Sequence, residues 1–252
     1  MYRGIHSEEV RFAGHGGDEI NAYLACPNGD GPFPGVAVVH HMPGWDEATT
    51  EIANRFAAHG YLAVVPNLHY REAPDASPDD AAAAVRSQGG VPDERFLGDL
   101  DGALAYLRGL PEATGRVGVI GYCSGGRQAF LAACSLPVDA AVDCYGAFVV
   151  GVPPAGMPAS MRPIGHLAGR LRCPLLGLFG NEDQHPSQAE VDELEEVLRR
   201  AGAEYEFHRY DGAGHGFFAT DRATYRPEAA ADGWKRIFDF FGRQLAFYAG
   251  AE

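Results

Sequence analysis

The stretch at residues 116–126, RVGVIGYCSGG, constrains most strongly what this chain can fold into. Its first half is a short run rich in Val and Ile, which predicts a buried strand, and a helical run, RQAFLAAC, follows at once. A Gly-punctuated turn between strand and helix is the setting of a nucleophile elbow, which holds one side chain above the carboxyl end of a parallel sheet. We therefore expect a reactive side chain at this turn.

The glycine spacing distinguishes between two adjacent candidate nucleophiles. An elbow is a sharp, strained turn that leaves no room for side chains two positions before and two positions after its apex. With Cys123 at the apex these positions are Gly121 and Gly125, whereas Ser124 would place Tyr122 where a glycine is needed. We predict that Cys123 is the nucleophile, since a helix N-terminus favours the thiolate. The alternative, a buried Cys in a nucleotide-binding turn, lacks the spacing G-x-G-x-x-G.

The rest of the chain alternates strand-like with helix-like segments. An antiparallel pair is predicted at residues 10–13 and 20–25, and continuous apolar runs such as VAVVH and LAVVP are typical of strands buried on both faces. Repeated strand–helix units imply an α/β fold with a mainly parallel sheet and helices on both faces. The further strands are predicted at 36–40, 62–66, 140–145, 174–179 and 205–210, and the helices at 51–59, 93–110, 188–200 and 228–247.

An acid and a histidine follow the last two predicted strands. Asp183 lies in GNEDQH after PLLGLF, and His215 lies in GAGHGFF after YEFHRY. Chemistry in such folds collects at the carboxyl ends of the strands, and the order nucleophile, acid, base is that of α/β-hydrolases. We predict that Asp183 orients His215, which exchanges protons with Cys123. Glu182 and Asp143 are the alternative acids.

An oxyanion hole needs two N–H groups near the nucleophile. The elbow supplies one, the backbone amide of Ser124. We expect the other from the loop after VAVVH, at Met42.

The chain resembles the dienelactone hydrolase family of α/β-hydrolases over most of its length, from HHMPGW through GYCSGG and GNEDQHPS to GAGHGFF. The resemblance implies cleavage of a small-molecule lactone or ester through an acyl-cysteine intermediate, without a cofactor or metal. Cys123, Asp183 and His215 match the family's Cys-Asp-His triad.

Three positions depart from family members that act on chlorocatechol-derived dienelactones. Those members have a Glu that contacts the resting thiol, where this chain has His41, and two arginines that bind the substrate carboxylate, where it has Ala81 and Ala219. A protonated His41 facing Cys123 would stabilise the thiolate. The arginines considered as substitutes are Arg71, Arg86, Arg222 and Arg226. The candidate substrate-pocket residues are His41, Trp45, Tyr70, Arg71, Tyr145 and Phe217, and residues 146–169 form either a lid or a surface insertion.

Composition favours one sizeable domain over residues 1–252, with 46% hydrophobic residues. The net charge of −14 argues against nucleic acid and anionic membranes as partners. The absence of a long apolar run and of a leader-like N-terminus, together with five cysteines without framework spacing, predicts a reduced cytoplasmic protein without a membrane span. The sequence does not indicate an oligomeric state.

Three other classes of function remain as alternatives. A metal site would use His40 and His41 with His69 or His185, but paired ligand spacing is missing and adjacent residues at a strand end point to opposite sides. A redox protein would pair Cys123 with Cys134, which lies about three helical turns away. A catalytically silent binding protein would have no need of all three triad groups.

Overall fold

The computed structural model describes residues 4–158 and 160–246, and in that part of the chain eight strands form one sheet. The strands are β1 (Ile5–Ala13), β2 (Glu19–Pro27), β3 (Phe33–Val39), β4 (Leu62–Pro66), β5 (Ala113–Tyr122), β6 (Ala140–Cys144), β7 (Leu175–Gly180) and β8 (Tyr205–Tyr210). The α-helices are α1 (Glu47–Ala58), α2 (Pro78–Ser87), α3 (Asp93–Gly109), α4 (Ser124–Ser135), α5 (Gln188–Ala201) and α6 (Pro227–Gln244). Short 3-10 helices lie at His15–Gly17 and Gly165–Arg170.

The sheet is parallel except at one edge. Its strand order is β1-β2-β4-β3-β5-β6-β7-β8, with β1 antiparallel to β2 and β2 antiparallel to β4. Every pairing from β4 across to β8 is parallel. The predicted antiparallel pair is confirmed, and Phe12 lies opposite Ile20 in it. The carboxyl ends of β3, β5, β6, β7 and β8 therefore all meet at one edge of the sheet.

Helices cover both faces of the sheet, as the sequence predicts. On one face, side chains of α1 and α6 such as Phe56 and Phe241 pack against the strands in one hydrophobic cluster. On the other face, α2, α3, α4 and α5 contribute to a second cluster that includes Phe96 and Phe130. The residues at 36–39 are fully buried, which explains why this strand is a continuous apolar run without polar alternation.

Several element boundaries differ from the sequence expectations. The polar, Pro-rich segment at 67–90, where no helix is predicted, contains α2, which begins after Ser77, whose side chain accepts the Asp80 N–H as a cap. Helix α1 begins at Glu47, earlier than predicted, because the Asp46 side chain accepts a hydrogen bond from the Thr49 N–H and caps the helix. The last helix ends at Gln244, and Phe247, its predicted end, lies outside the described residues.

Arg71, a candidate substrate-pocket residue, forms ion pairs with Asp99 and Asp18. Its guanidinium makes two hydrogen bonds of 2.8 Å to the carboxylate of Asp99, which is fully buried on α3, and a third of 2.9 Å to Asp18. The Asp99 carboxylate also accepts the N–H of His15 at 2.8 Å. The pair therefore connects the β1–β2 turn to α3.

We expect Arg71→Ala to destabilise the fold, because it leaves the Asp99 carboxylate buried without a counter-charge. Loss of one partner of a buried ion pair costs about 3–5 kcal/mol in the free energy of unfolding. Urea denaturation measures the change. The control is Arg199→Ala, which removes an exposed ion pair with Glu196 and should leave the unfolding midpoint unchanged. Equal midpoints for the two variants would contradict this interpretation of Arg71.

Candidate active site

The elbow predicted at Cys123 is present in the structure. Strand β5 ends at Tyr122, Cys123 adopts φ 57° and ψ −121°, and α4 begins at Ser124. A positive φ is rare for a residue with a side chain, and such strain persists only where the surroundings enforce it. Here the Cys123 N–H donates to the Cys144 carbonyl at 3.1 Å, which ties the turn to β6.

The space around the turn explains its glycines. A Cβ on Gly121 would collide with the carbonyl oxygen of Gly125, and a Cβ on Gly125 would collide with that of Val39 at the end of β3. A Cβ on Gly126 would meet the Asp143 carboxylate. Steric clashes therefore explain the glycine spacing that favoured Cys123 over Ser124 as the apex of the turn.

Asp183 and His215 lie next to each other beyond β7 and β8. The His215 Nδ1 is 2.8 Å from the Asp183 Oδ2, and the other carboxylate oxygen accepts the N–H of His185 at 2.9 Å. The Asp183 side chain is 2% exposed, whereas that of His215 is 38% exposed. The carboxylate is thus buried behind the imidazole and the imidazole faces the cleft.

The thiol of Cys123 completes this hydrogen-bonded chain. Its sulfur is hydrogen-bonded to the His215 side chain and accepts the backbone N–H groups of Ser124 and Met42. Burial raises the pKa of this thiol, but the hydrogen bond and charge of His215, with the two N–H groups, lower it further, so that the net shift is downward.

His215 shifts in the opposite direction. Burial disfavours its charged form, but Asp183 and the Cys123 sulfur together raise the pKa of His215 to about 10. The two shifts favour a thiolate paired with an imidazolium at neutral pH.

The alternative acids do not contact this imidazole. Glu182 is exposed, and the carboxylate of Asp143 is fully buried beneath the elbow, where one oxygen accepts the Gly146 N–H at 2.7 Å. Burial raises the pKa of Asp143 to about 7. Asp183 is therefore the acid that the geometry places beside His215.

His41 contacts an acid instead of the thiol, so the expectation that it faces Cys123 is wrong. Its Nε2 is 2.5 Å from the Asp46 Oδ2. The neighbouring His40 donates from Nδ1 to the His41 carbonyl at 2.8 Å and accepts the Leu68 N–H at Nε2, so both ring nitrogens are occupied. Burial lowers the pKa of His40 to about 4. Among residues 4–158 and 160–246, no group of three His, Cys, Asp or Glu side chains is placed to hold a metal ion.

Two cavities open on either side of His40 and His41. The first, which we call the thiol-side cavity, is lined by Met42, Ser124, Gln128 and Met161 among others. The second, the aromatic cavity, is lined chiefly by Tyr122, Tyr145, Phe218 and Trp234. The segment at 146–169 supplies Met161, Pro158 and Ser160 to the thiol-side cavity, so it forms a wall of the site.

Only some of the candidate pocket residues line these two cavities. His41 lines both, and Tyr145 lines the aromatic cavity. Trp45, Tyr70, Arg71 and Phe217 line neither of these two cavities. The Trp45 indole donates to the Val65 carbonyl at 3.0 Å, and Phe217 is fully buried against Tyr145.

The arginines considered as substitutes for a carboxylate-binding arginine also differ in whether they line a cavity. Arg86 lines the thiol-side cavity, whereas Arg226 donates to backbone carbonyls of Gly212, Ala223 and Tyr225. Arg222 lines neither cavity. Of the two alanines that replace the family's arginines, Ala219 lies in the wall of the aromatic cavity. Phe218 and Trp234 also line the aromatic cavity, although the sequence did not assign them to the pocket. An apolar residue pattern does not tell whether such a side chain points into the core or into a cavity.

Comparison with known proteins agrees with this architecture. The model of the Dienelactone hydrolase family matches residues 20–245. A Methylorubrum extorquens protein named "Putative carboxymethylenebutenolidase" is 39% identical over 242 residues, which cover 94% of this chain and 81% of that protein. The Pseudomonas putida "Carboxymethylenebutenolidase" is 29% identical over 93% of this chain and 95% of its own. A crystal structure of a "Putative Dienelactone Hydrolase" from Klebsiella pneumoniae superposes with a TM-score of 0.84 at 32% identity, covering 96% of this chain and all of that one.

The parallel sheet with helices on both faces and the elbow at the end of β5 define an α/β-hydrolase. Within that superfamily, this chain belongs to the dienelactone hydrolase family, and it is a dienelactone hydrolase-like hydrolase. None of the helices described at 4–158 and 160–246 has the length and apolarity needed to cross a bilayer.

The lowered pKa of Cys123 predicts a larger thiolate fraction at neutral pH than a free thiol has, and this fraction is lost as the pH falls through that pKa. His215→Gln removes the imidazolium and should shift the titration upward, towards or beyond the value of about 8.5 for a free thiol. Ultraviolet absorbance of the thiolate and the rate of alkylation by iodoacetamide, both followed against pH, measure the shift.

The matched control is His41→Gln, which should leave the titration unchanged because His41 binds Asp46. Burial raises the pKa of Cys26, Cys134 and Cys173 to about 11–12, so these thiols do not contribute near neutrality. A shift in His41→Gln as large as that in His215→Gln would show that His41 supports the thiolate after all.

Proposed function

We propose that this protein hydrolyses a carboxylic ester or lactone of a small molecule through an acyl-cysteine intermediate, with Cys123, His215 and Asp183 as the triad. The observation that carries the proposal is the continuous chain of hydrogen bonds from the Asp183 carboxylate through His215 to the Cys123 sulfur. Family membership and the names of its relatives, which refer to lactone hydrolysis, support the same reaction class.

Acylation begins with the thiolate of Cys123 attacking the carbonyl carbon. The negative charge moves to the carbonyl oxygen, and the N–H groups of Ser124 and Met42, which contact the sulfur in the resting site, are the donors available to bind it. When the tetrahedral intermediate collapses, the C–O bond to the alcohol breaks and the His215 imidazolium gives its proton to the departing oxygen. For a lactone, that alcohol stays attached to the acyl group.

Deacylation reverses these roles. His215, now neutral, takes a proton from water as the water oxygen attacks the thioester carbon. Collapse of the second tetrahedral intermediate breaks the C–S bond, releases the acid and restores the thiolate–imidazolium pair. Asp183, which is buried and bonded to Nδ1, keeps the other nitrogen directed at the reacting atoms throughout. These steps use only water and groups of the chain.

The alternative functions find less support in the site. Cys134, the resolving partner considered for Cys123, lies eleven residues further on at the far end of α4 and is itself buried. His40 has no free nitrogen for a metal. Activity measurements on two pairs of variants, given next, distinguish a catalytically silent binding protein from an enzyme.

Cys123→Ala should abolish ester hydrolysis without unfolding the protein, because alanine removes only the sulfur. Ser124→Ala is the matched control: its backbone N–H remains, so turnover should be comparatively unaffected. Hydrolysis of aryl acetates and circular dichroism measure the two effects. An active Cys123→Ala beside an inactive Ser124→Ala would move the nucleophile by one residue.

Asp183→Asn should keep the fold but lower kcat by several orders of magnitude, about 10⁴-fold as in related triads, since the imidazole loses its orientation and its counter-charge. Glu182→Gln changes the neighbouring exposed acid in the same way and should have no effect on kcat. Steady-state kinetics of the two variants on one ester make the comparison. Normal turnover in Asp183→Asn with an inactive Glu182→Gln would assign the acid to residue 182.

A further inference from the structure

The aromatic cavity has the composition of a ligand site: it opens to solvent and its walls are mainly aromatic and apolar. Its walls come from α1, the end of β5, the segment after His215, and α6. Besides Tyr122, Tyr145, Phe218 and Trp234, they include Ile52 and Arg55.

Tyr122 is the polar group of this cavity that lacks a partner. Its side chain is 5% exposed, and its hydroxyl has no hydrogen-bond partner among the residues that the structure describes. The ring is fixed by an edge-to-face contact with Phe218, with centroids 5.7 Å apart, and by Tyr145 at 6.2 Å. Buried hydroxyl groups normally have a partner, so this one has capacity for a hydrogen bond to a ligand. Burial also raises the pKa of Tyr122 well above its usual value, which leaves the hydroxyl a neutral donor.

The charges in the cavity wall are already paired. The Arg55 guanidinium lies 4.6 Å above the Trp234 ring and 3.2 Å from the Glu51 carboxylate. His41 is bound to Asp46. Ala219, in the same wall, adds no charge. A wall without an unpaired cation favours a neutral ligand over an anion.

The cavity lies on the side of the site from which the alcohol departs. Tyr145 contacts His215 edge-on, with ring centroids 5.1 Å apart, and Phe218 and Ala219 lie three and four residues after His215 in the chain. The thiol-side cavity, in contrast, is lined by Met42 and Ser124, the two donors for the carbonyl oxygen. Because His215 gives its proton to the alcohol, the alcohol must lie near these aromatic rings.

We propose that the aromatic cavity binds the alcohol part of the substrate as an uncharged aromatic ring, and that Tyr122 determines specificity by donating a hydrogen bond to an acceptor on that ring. This inference rests on the proposed ester hydrolysis and narrows it to neutral aryl esters. The ring leaves as a phenol that carries the proton from His215.

Three acetates with nearly isosteric para substituents test the proposal. The para-carbamoylphenyl ester carries a neutral acceptor, the para-carboxyphenyl ester an anion, and the para-isopropylphenyl ester no acceptor. All three give the same acetyl-cysteine, so differences in kcat/KM arise before deacylation. We expect the wild-type protein to prefer the carbamoyl ester over the carboxylate.

Tyr122→Phe removes only the hydroxyl. It should lower kcat/KM for the carbamoyl ester about fivefold more than for the isopropyl ester, as loss of one neutral hydrogen bond does. The control is Tyr70→Phe, at a tyrosine outside both cavities, which should leave the ratio between the two esters unchanged. Equal losses on both esters in Tyr122→Phe, or a wild-type preference for the carboxylate, would overturn the proposal.

A second measurement uses only the wild-type protein and so does not depend on folding of the variant. The phenols released from the carbamoyl and carboxyl esters should inhibit competitively, with the neutral amide binding more tightly. Tighter binding of the anion would refute the inference.

Failure of the inference differs from failure of the proposed function. If Cys123→Ala still hydrolyses the esters, the acyl-cysteine mechanism fails. If Cys123 is required for lactone hydrolysis but the wild-type protein turns over none of the three aryl acetates, the mechanism stands and the assignment of the aromatic cavity is wrong.

Discussion

The close approach of helix α4 to the end of β3 is the constraint on which the site depends. Gly125 lies so near the Val39 and His40 carbonyls that a Cβ has no room, and this contact brings the loop after β3 to the elbow. The Met42 N–H consequently reaches the Cys123 sulfur together with the Ser124 N–H. One packing contact therefore fixes both the strained φ of the nucleophile and the two donors beside it.

Burial alone would make Cys123 unreactive, and the other four cysteines show this. Burial raises the pKa of Cys26, Cys134, Cys144 and Cys173, none of which has a cationic hydrogen-bond partner. Cys123 is also removed from solvent, yet its pKa shifts downward because His215 and two N–H groups contact the sulfur. The imidazolium is stabilised in turn by Asp183, whose carboxylate is almost fully buried. The preference for a thiolate arises from partners supplied by three separate strand ends.

The sequence predicted that Cys123, Asp183 and His215 follow strand ends at one edge of the sheet, because apolar runs and glycines mark these ends clearly. It did not predict the pocket, because that depends on side-chain direction. Phe217 and Phe218 are adjacent, but the first packs into the core and the second lines the aromatic cavity. Arg71 is close in sequence to the site, and only the fold reveals the buried Asp99 that binds it. Helix α2 was missed although its buried residues, Ala81, Ala82 and Val85, lie on one face, because it lies inside a polar, Pro-rich stretch.

His41 holds the architecture of the site together through its bond to Asp46 and does not contact the acid–base groups at Cys123 and His215. Asp46, which binds His41, also accepts hydrogen bonds from the Thr49 N–H and hydroxyl at 2.9 and 2.7 Å and caps α1. These bonds hold the pKa of Asp46 below its usual range despite burial, so the imidazole stays attached to the start of a helix. His41 cannot turn to the thiol without removing a partner from that carboxylate. Because His40 and His41 line both cavities, this fixed pair forms the partition between the donors of the oxyanion hole and the aromatic cavity.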